Sequence, residues 1–265
     1  GGSGHLSTLV SQKAAAAGLD FVTGSRQVAD GQPAQRRIDF DDPGSLDFSG
    51  VGTLMLVSAG YAEDDVVIAR HGAVIAAARR QGVGHVVYTS LTGTGDHLGF
   101  ALAHRWTERR LQQSGMAWTI LRNGLYAELI GSLAAPVDGV IRAPFGSSSI
   151  SAVAREDLAD AAVTVLSDPA SHAGVIYELA GEDGFTIADL ARELGVEYSP
   201  ETLTAARDRL TVPPLLPFQP AMLMSIYSAS AAGFLKAEAS DLRRLIANEP
   251  RKTLQLAAAA ARPTG

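Results

Sequence analysis

The first seven residues, Gly1-Gly2-Ser3-Gly4-His5-Leu6-Ser7, have the residue types of a phosphate-binding turn that runs into a helix. Glycine permits a tight turn at Gly1 and close backbone approach at Gly4, and the first amides of the helix offer N–H groups and a partial positive charge. The third position of such a turn, normally Gly, is Ser7, which is small enough to replace it. The letters G-G-S-G also spell a flexible linker, so the segments that follow must decide. Arg26 stands at the end of the next apolar segment, where dinucleotide folds choose their cofactor: an acid bonds the ribose hydroxyls of NAD, whereas an Arg pairs with the 2′-phosphate of NADP. No acid occupies Ser25, Arg26 or Gln27, so NADP(H) is favoured over NAD(H), the alternative being a solvated surface charge. Other chemistries find little support. His71, His85, His97 and His172 are scattered without ligand spacing, so no metal site is expected. Ser58, Ser90 and Ser114 lack the elbow context of an activated nucleophile.

The elements that would hold these residues follow in a regular order. Leu6, Leu9, Val10, Ala14 and Ala17 recur at helical spacing and Gly18 stops the helix; Leu19 to Gly24 then reads as a strand. Turn, helix and strand make the second half of a βαβ unit, which favours a cofactor turn over a linker. The same logic predicts a strand of about five residues ahead of Gly1, and poor dinucleotide binding without it. Arg37 to Phe40 suits a short strand and Asp42-Pro43 a helix start. Val51 to Ala59 is an apolar run of the kind a doubly buried parallel strand shows. A helix with Glu63-Asp64-Asp65 at its start and Arg79-Arg80 at its end leads to the strand His85 to Ser90, and a helix over about Gly99 to Gln113 leads to the strand Ala117 to Arg122. This alternation predicts an α/β, doubly wound parallel sheet with ligands beyond the carboxyl ends of its strands.

Past Gly124 the pattern loosens. Val137 to Pro144 suits a short strand, Leu158 to Leu166 a helix opened by Arg155-Glu156-Asp157, and Val175 to Leu179 a strand. Thr186-x-x-Asp189 resembles a capping box with Asp for the usual Glu, and Ser199-Pro200 a helix start. The four prolines between Thr211 and Pro220 predict an apolar loop, followed by helices over Met222 to Leu235 and Leu254 to Ala261. Met222, Met224 and Phe234 could line a pocket, although ordinary core or a subunit contact accounts for them equally simply.

Composition narrows the partners. The net charge of −6, from 22 Lys and Arg against 28 Asp and Glu, and the absence of a basic run give no footprint for nucleic acid or an anionic membrane. With no Cys and no apolar run of membrane-spanning length, a cytoplasmic protein acting on a small-molecule substrate is expected, with a homodimer left open.

A series of motifs resembles one family. The turn Gly1-Gly2-Ser3-Gly4-His5-Leu6, Gly24-Ser25-Arg26, Ile38-Asp39-Phe40-Asp41-Asp42-Pro43, Gly84 to Leu91, His104-Arg105-x-x-Glu108 and Thr119-Ile120-Leu121-Arg122-Asn123-Gly124-x-Tyr126 are similar to the NmrA-like atypical short-chain dehydrogenase/reductases, nearest their NAD(P)H:quinone oxidoreductase branch. Arg155-Glu156-Asp157-Leu158-Ala159, Tyr177-Glu178-Leu179-x-Gly181 and Asp241 to Pro250 extend the similarity along nearly the whole chain. The resemblance implies a Rossmann-type NAD(P)-binding domain over residues 1–130 with 150–182, and a small carboxyl-terminal substrate-binding lobe over 131–149 with 183–265. It implies a cofactor site of Gly1, Ser3, Gly4, His5 and Leu6 at the pyrophosphate, Arg26 at the adenosine phosphate, and Asp39 and Phe40 at the adenine. Ser58, Ala59 and Gly60 would line the path to the nicotinamide; Thr89, Ser90, Asn123, Gly124 and Leu125 would border it.

One departure bears on the reaction. The superfamily's Tyr-x-x-x-Lys pair, whose lysine lowers the tyrosine pKa for proton transfer, is replaced by Phe100-Ala101-Leu102-Ala103-His104. Reduction of a simple carbonyl needs a proton at the oxygen, whereas a quinone takes hydride at the ring and gathers its proton from water. An NADPH-dependent oxidoreductase acting on a small planar acceptor such as a quinone is therefore expected. His104, with a pKa near neutrality, would bond the nicotinamide ribose or donate a proton, or else pair with Glu108 on the helix surface; Tyr126 would orient substrate or serve packing. A non-catalytic dinucleotide-sensing regulator and a biosynthetic reductase or isomerase remain alternatives.

Overall fold

The computed structural model describes residues 2, 4–28, 35–59, 61–210 and 215–262. Its amino-terminal helix α1 spans His5–Ala16 and turns Leu6, Val10 and Ala14 inward, as their spacing predicts. Strands β1 (Thr23–Ser25) and β2 (Gln35–Arg37) pair in parallel over three residues. Both differ from the stretches expected, Leu19 to Gly24 and Arg37 to Phe40, because strand structure exists only where a neighbour supplies the ladder, and among the described strands each pairs just with the other. The helix start at Asp42-Pro43 yields a single turn of 3₁₀ helix, Pro43–Ser45, with the Asp42 carboxylate accepting from the Gly44 amide at 3.2 Å.

Strand β3 (Thr53–Leu56), helix α2 (Asp64–Arg80), strand β4 (His85–Leu91), helix α3 (Ala101–Gln112) and strand β5 (Ala117–Asn123) continue the alternation. Helix α4 (Ala127–Leu133), the short strand β6 (Val140–Ile141), helix α5 (Arg155–Ser167) and strand β7 (Val175–Leu179) follow. The main sheet is parallel and four-stranded, in the order β3-β4-β5-β7, with helices flanking it; this is the Rossmann-type α/β architecture expected. Acids at the first turn of α2 and Arg79 and Arg80 at its last complement the helix dipole.

The remainder is helical: α6 (Ile187–Leu194), the short strand β8 (Glu197–Tyr198), then α7 (Leu203–Leu210), α8 (Gln219–Ala231), α9 (Leu242–Leu245) and α10 (Thr253–Ala261). The capping box on α6 is present, with Thr186 and Asp189 exchanging side-chain and backbone hydrogen bonds. Residues 211–214 of the proline-rich stretch lie outside the described residues, while Pro220 sits in the first turn of α8, where its missing N–H costs nothing. The Ser199-Pro200 start is displaced: the Ser199 amide bonds the Ile141 carbonyl, and α7 begins only at Leu203.

The chain forms two compact units, Gly1–Ser90 with Leu102–Arg122 and Leu158–Tyr177, and Leu91–Ala101 with Asn123–Asp157 and Glu178–Gly265. In the first, Ile38, Phe48, Leu56, Val74, Val86 and Leu111 belong to one buried cluster. In the second, α4 and α10 meet at Gly131, where a Cβ would fall 2.1 Å from the Ala257 carbonyl oxygen, so only glycine allows the crossing. Among the described residues no helix is long and apolar enough to cross a membrane.

Candidate active site

In the first unit α1 begins directly after Gly4. Gly4 takes the N-cap position in extended conformation and no side chain caps the helix start, which leaves the positive helix end to an anion. Gly4 and His5 are exposed, while Leu6 buries its side chain, so only its backbone faces the turn. Gly1 and Ser3 lie outside the described residues. The sequence did not single out Gly2, whose N–H donates to the Gly24 carbonyl at 2.9 Å and whose Cβ, if present, would lie 2.4 Å from that oxygen. The glycine needed for close approach is thus also at position 2. Gly24 is constrained in turn, a Cβ there falling 2.9 Å from the Ile38 side chain.

Beyond β1, Arg26 is exposed and makes no hydrogen bond or ion pair among the described residues. Its neighbourhood explains why it stays open. Asp41, the nearby acid, is already held by Arg70, which donates from Nε at 2.6 Å and Nη2 at 2.7 Å. Those hydrogen bonds hold the Asp41 carboxyl below its usual range, with a smaller pull from Arg26. Asp39 is shaped by the turn it starts: its amide donates to Ser45 Oγ at 2.8 Å and its carboxylate accepts from the Asp41 amide at 3.1 Å. Phe40 is half-buried against the core cluster.

Two imidazoles organise the ends of β3 and β4. His71 is fully buried on α2 and accepts the Ala59 N–H at Nε2, 3.0 Å away. A backbone amide can only donate, so Nε2 is unprotonated and Nδ1 carries the hydrogen, which it gives to Thr107 Oγ1 at 2.8 Å; Thr107 passes its own to the Ala103 carbonyl. Burial, with lesser contributions from His104 and Arg70, lowers the His71 pKa to about 3. The Ser58 amide donates to Thr89 Oγ1 at 2.9 Å, so the Thr89 hydroxyl holds the Ser58–Ala59 backbone in place. Gly60 lies outside the described residues.

His104 departs from the expectation on two counts. Its Nδ1 lies 2.9 Å from the hydroxyl of the fully buried Tyr88, and its pKa is lowered from 6.5 to about 4, by burial first and then by the charge of Arg105. It is neither near neutrality nor bonded to Glu108. Burial also raises the Tyr88 phenol, against the opposing pull of the Ser58 and Thr107 hydroxyls beside it, so the phenol keeps its proton. Glu108 serves a different network: it accepts from Ser90 Oγ at 2.5 Å, from Arg105 at 2.8 Å and from Arg122 at 2.9 and 2.6 Å. Burial opposes its charge, but these hydrogen bonds and the two guanidiniums together hold the carboxyl below its usual range. The Ser90 hydroxyl is therefore engaged within the protein.

In the second unit, Asn123, Gly124, Leu125 and Tyr126 form one short path. The Asn123 carbonyl accepts from the Thr92 amide, and the Gly124 amide donates to the Leu179 carbonyl at 2.8 Å. Asn123 Oδ1 is buried and has no hydrogen-bond partner among the described residues. A buried acceptor left open is uncommon. Leu125 belongs to the core of this unit. The Arg155 guanidinium lies 4.5 Å above the Tyr126 ring, and burial raises the Tyr126 phenol. No group of three or more His, Asp or Glu side chains among the described residues could hold a metal ion.

Comparison with known proteins agrees with this geometry. The family model described as NAD(P)H-binding matches residues 1–169. Quinone oxidoreductase 2 of Escherichia coli strain K12 is 39% identical over 164 residues, which are 60% of this chain and 56% of that protein. The chain spans between a third and just over half of the length of the curated relatives it matches. Among solved structures, the Citrobacter sp. triphenylmethane reductase complexed with NADP(H) is 26% identical with a TM-score of 0.87, covering 98% of each chain. The Escherichia coli NADPH-dependent quinone oxidoreductase complexed with NADPH is 28% identical with a TM-score of 0.85, covering 98% of this chain and 97% of that one. The NmrA-like resemblance of the motif series stands, and the chain belongs to the NAD(P)H-binding family.

Proposed function

We propose that the protein is an NADPH-dependent oxidoreductase that transfers hydride to a small planar acceptor such as a quinone. The observation that carries this is His104, in the helix position of the superfamily's proton-transfer pair, held neutral beside Tyr88 with a pKa of about 4. A neutral imidazole is a poor acid for protonating a carbonyl oxygen, but an acceptor reduced at its ring does not need one. The names of the relatives, quinone oxidoreductase and triphenylmethane reductase, support acceptors of this type.

The residues fit the cofactor at separate points. The uncapped start of α1 suits the pyrophosphate, and Arg26 suits the 2′-phosphate of NADPH. Asn123 Oδ1, a buried acceptor without a donor, suits the N–H of the nicotinamide carboxamide. When bound, the reduced nicotinamide supplies the hydride. His71 and Thr89 fix the Ser58–Ala59 backbone, which would border the ring. His104 retains one ring proton as a neutral hydrogen-bond donor, and Tyr126, braced by Arg155, orients the acceptor.

The test is loss of reduced-nicotinamide absorbance when the protein is mixed with NADPH and a panel of quinones. Turnover is expected, with kcat/KM flat between about pH 5 and 8 because His104 does not titrate there. NADPH binding without turnover of any acceptor overturns the enzyme in favour of a dinucleotide sensor. Arg26→Ala should weaken NADPH by tenfold or more, about 1.5 to 3 kcal/mol, and leave NADH unchanged. An unaltered preference removes Arg26 from the site.

A further inference from the structure

In the first unit, β4 sets Tyr88 against an imidazole from each of two helices, His71 of α2 and His104 of α3. The phenol ring meets His71 edge-on, with centroids 5.6 Å apart, and lies 6.1 Å from His104 at a tilt of 35°. Tyr88 and His71 are fully buried, whereas His104 is only half-buried. Tyr88 belongs to the apolar cluster of this unit with Val74, Val86 and Leu111, so packing fixes the place of its hydroxyl.

Counting hydrogens settles the direction of each bond. Burial raises the Tyr88 phenol, which therefore keeps its hydrogen and needs an acceptor for it. The neighbouring hydroxyls do not serve. Ser58 Oγ has no hydrogen-bond partner among the described residues. Thr107 Oγ1 already takes the hydrogen of His71 Nδ1 and gives its own to the Ala103 carbonyl. His104 Nδ1, 2.9 Å from the phenol oxygen, is the acceptor that remains. A neutral imidazole carries one hydrogen, and a nitrogen that accepts has none, so the hydrogen of His104 is on Nε2. His71 has the opposite arrangement, because the Ala59 amide donates to its Nε2. The His104 Nε2–H makes no hydrogen bond among the described residues.

We infer that Tyr88 is a positioning residue: its phenol O–H donates to His104 Nδ1, which locks the imidazole as the Nε2–H tautomer and leaves that N–H to donate to an oxygen of the bound cofactor or acceptor. The proton arrangement follows from the hydrogen bonds alone, while the oxygen that Nε2–H meets rests on the function proposed above. A donor-only nitrogen suits a ribose hydroxyl of the nicotinamide half or a quinone carbonyl, since both offer lone pairs. Because the hydroxyl of Tyr88 is held by the sheet, the ring plane of His104 is set before any ligand arrives, which lowers the ordering cost of binding.

Long-range proton–nitrogen NMR of histidine-labelled protein reads the tautomers directly, with His104→Gln identifying the signal. The parent should show the hydrogen of His104 on Nε2 and that of His71 on Nδ1. A His104 hydrogen on Nδ1, or exchange between the two nitrogens, overturns the lock without recourse to any Tyr88 variant. Tyr88→Phe keeps the ring and removes the donor. It should shift the His104 nitrogen signals and cost about three- to tenfold, in NADPH affinity if the oxygen belongs to the cofactor, or in kcat/KM for a benzoquinone at saturating NADPH if it belongs to the acceptor. The side-chain amide of His104→Gln offers an N–H that needs no tautomer, so Tyr88→Phe in that background should cost less than about twofold. An equal loss in both backgrounds, or no loss in either quantity, overturns the positioning role. Absence of turnover with every quinone, alongside the expected tautomers and the expected fall in NADPH affinity, overturns the oxidoreductase and leaves the lock standing.

Discussion

Strands β3 and β4 lie side by side, in register from Thr53↔His85 to Leu56↔Tyr88, yet their burial differs. Every residue of β4 from His85 to Leu91 is buried, whereas in β3 only Leu56 is. The apolar character of the two segments is similar, so hydrophobicity does not explain the difference. Neighbours do: β4 lies between β3 and β5, while among the described strands β3 pairs only with β4, and its residues Thr53 to Leu56 line a cavity of about 500 Å³. A parallel strand is buried by the strands and helices around it, and its own composition only makes that burial favourable.

The largest expected effect lies on the closed side. Glu108 joins Ser90 at the end of β4 to Arg122 in β5 and Arg105 in α3. Glu108→Ala leaves two guanidiniums without their carboxylate and should cost about 3–5 kcal/mol of stability, measured by urea denaturation. A loss below about 1 kcal/mol would mean the network is no more than a surface ion pair.

Next in size is a direct comparison of the two edges. Ile120→Ala, in the fully buried part of β5, should cost about 2–5 kcal/mol, and Leu54→Ala, in half-buried β3, about 1 kcal/mol. Denaturation of both variants checks the difference. Equal costs would show that the β3 edge is as closely packed as the sheet centre, and the contrast between the strands would fail.

The same contrast separates what the sequence disclosed from what it hid. Helices α1, α2, α3 and α5 were legible because their apolar spacing and end charges are local signals, as was the capping box of Thr186 and Asp189. Strands β4, β5 and β7 were legible as apolar runs of strand length, whereas β1 and β2 shrank to three residues because ladders depend on partners the local pattern does not name. The short elements α4, β8 and α9 gave too few residues for a period to register, while β6 fell inside the short strand expected over Val137 to Pro144. At the site, the motif positions Gly4, Arg26 and Asn123 could be read from the sequence. The roles of His71, Tyr88 and Glu108 could not, because their partners, Arg105 apart, lie 12 to 36 residues away and meet only in the folded chain. One signal was available: His71 sits four residues from both Val67 and Ile75 on the inward stripe of α2, which places it in the core.

A further effect concerns pH, and it too belongs to the closed side. Folding lowers the pKa of His71 from 6.5 to about 3 and of His104 from 6.5 to about 4, so both are neutral in the native protein near neutrality. The unfolded chain takes up protons at these positions below about pH 6.5, and the native chain does not. Their stabilisation is therefore complete above about pH 6.5, falls as pH falls, and stops falling at about pH 4 for His104 and about pH 3 for His71. In the middle of that range the two together should give a slope approaching about 2.7 kcal/mol per pH unit, half from each. His71→Gln keeps an acceptor for the Ala59 N–H but cannot titrate, so its urea-denaturation curves between about pH 6.5 and 4 should fall less steeply by up to about 1.4 kcal/mol per pH unit. Parallel slopes for the variant and the parent would mean that His71 is not held neutral, and the hydrogen-bond chain from Ala59 through His71 to Thr107 would then have to run with a different proton arrangement.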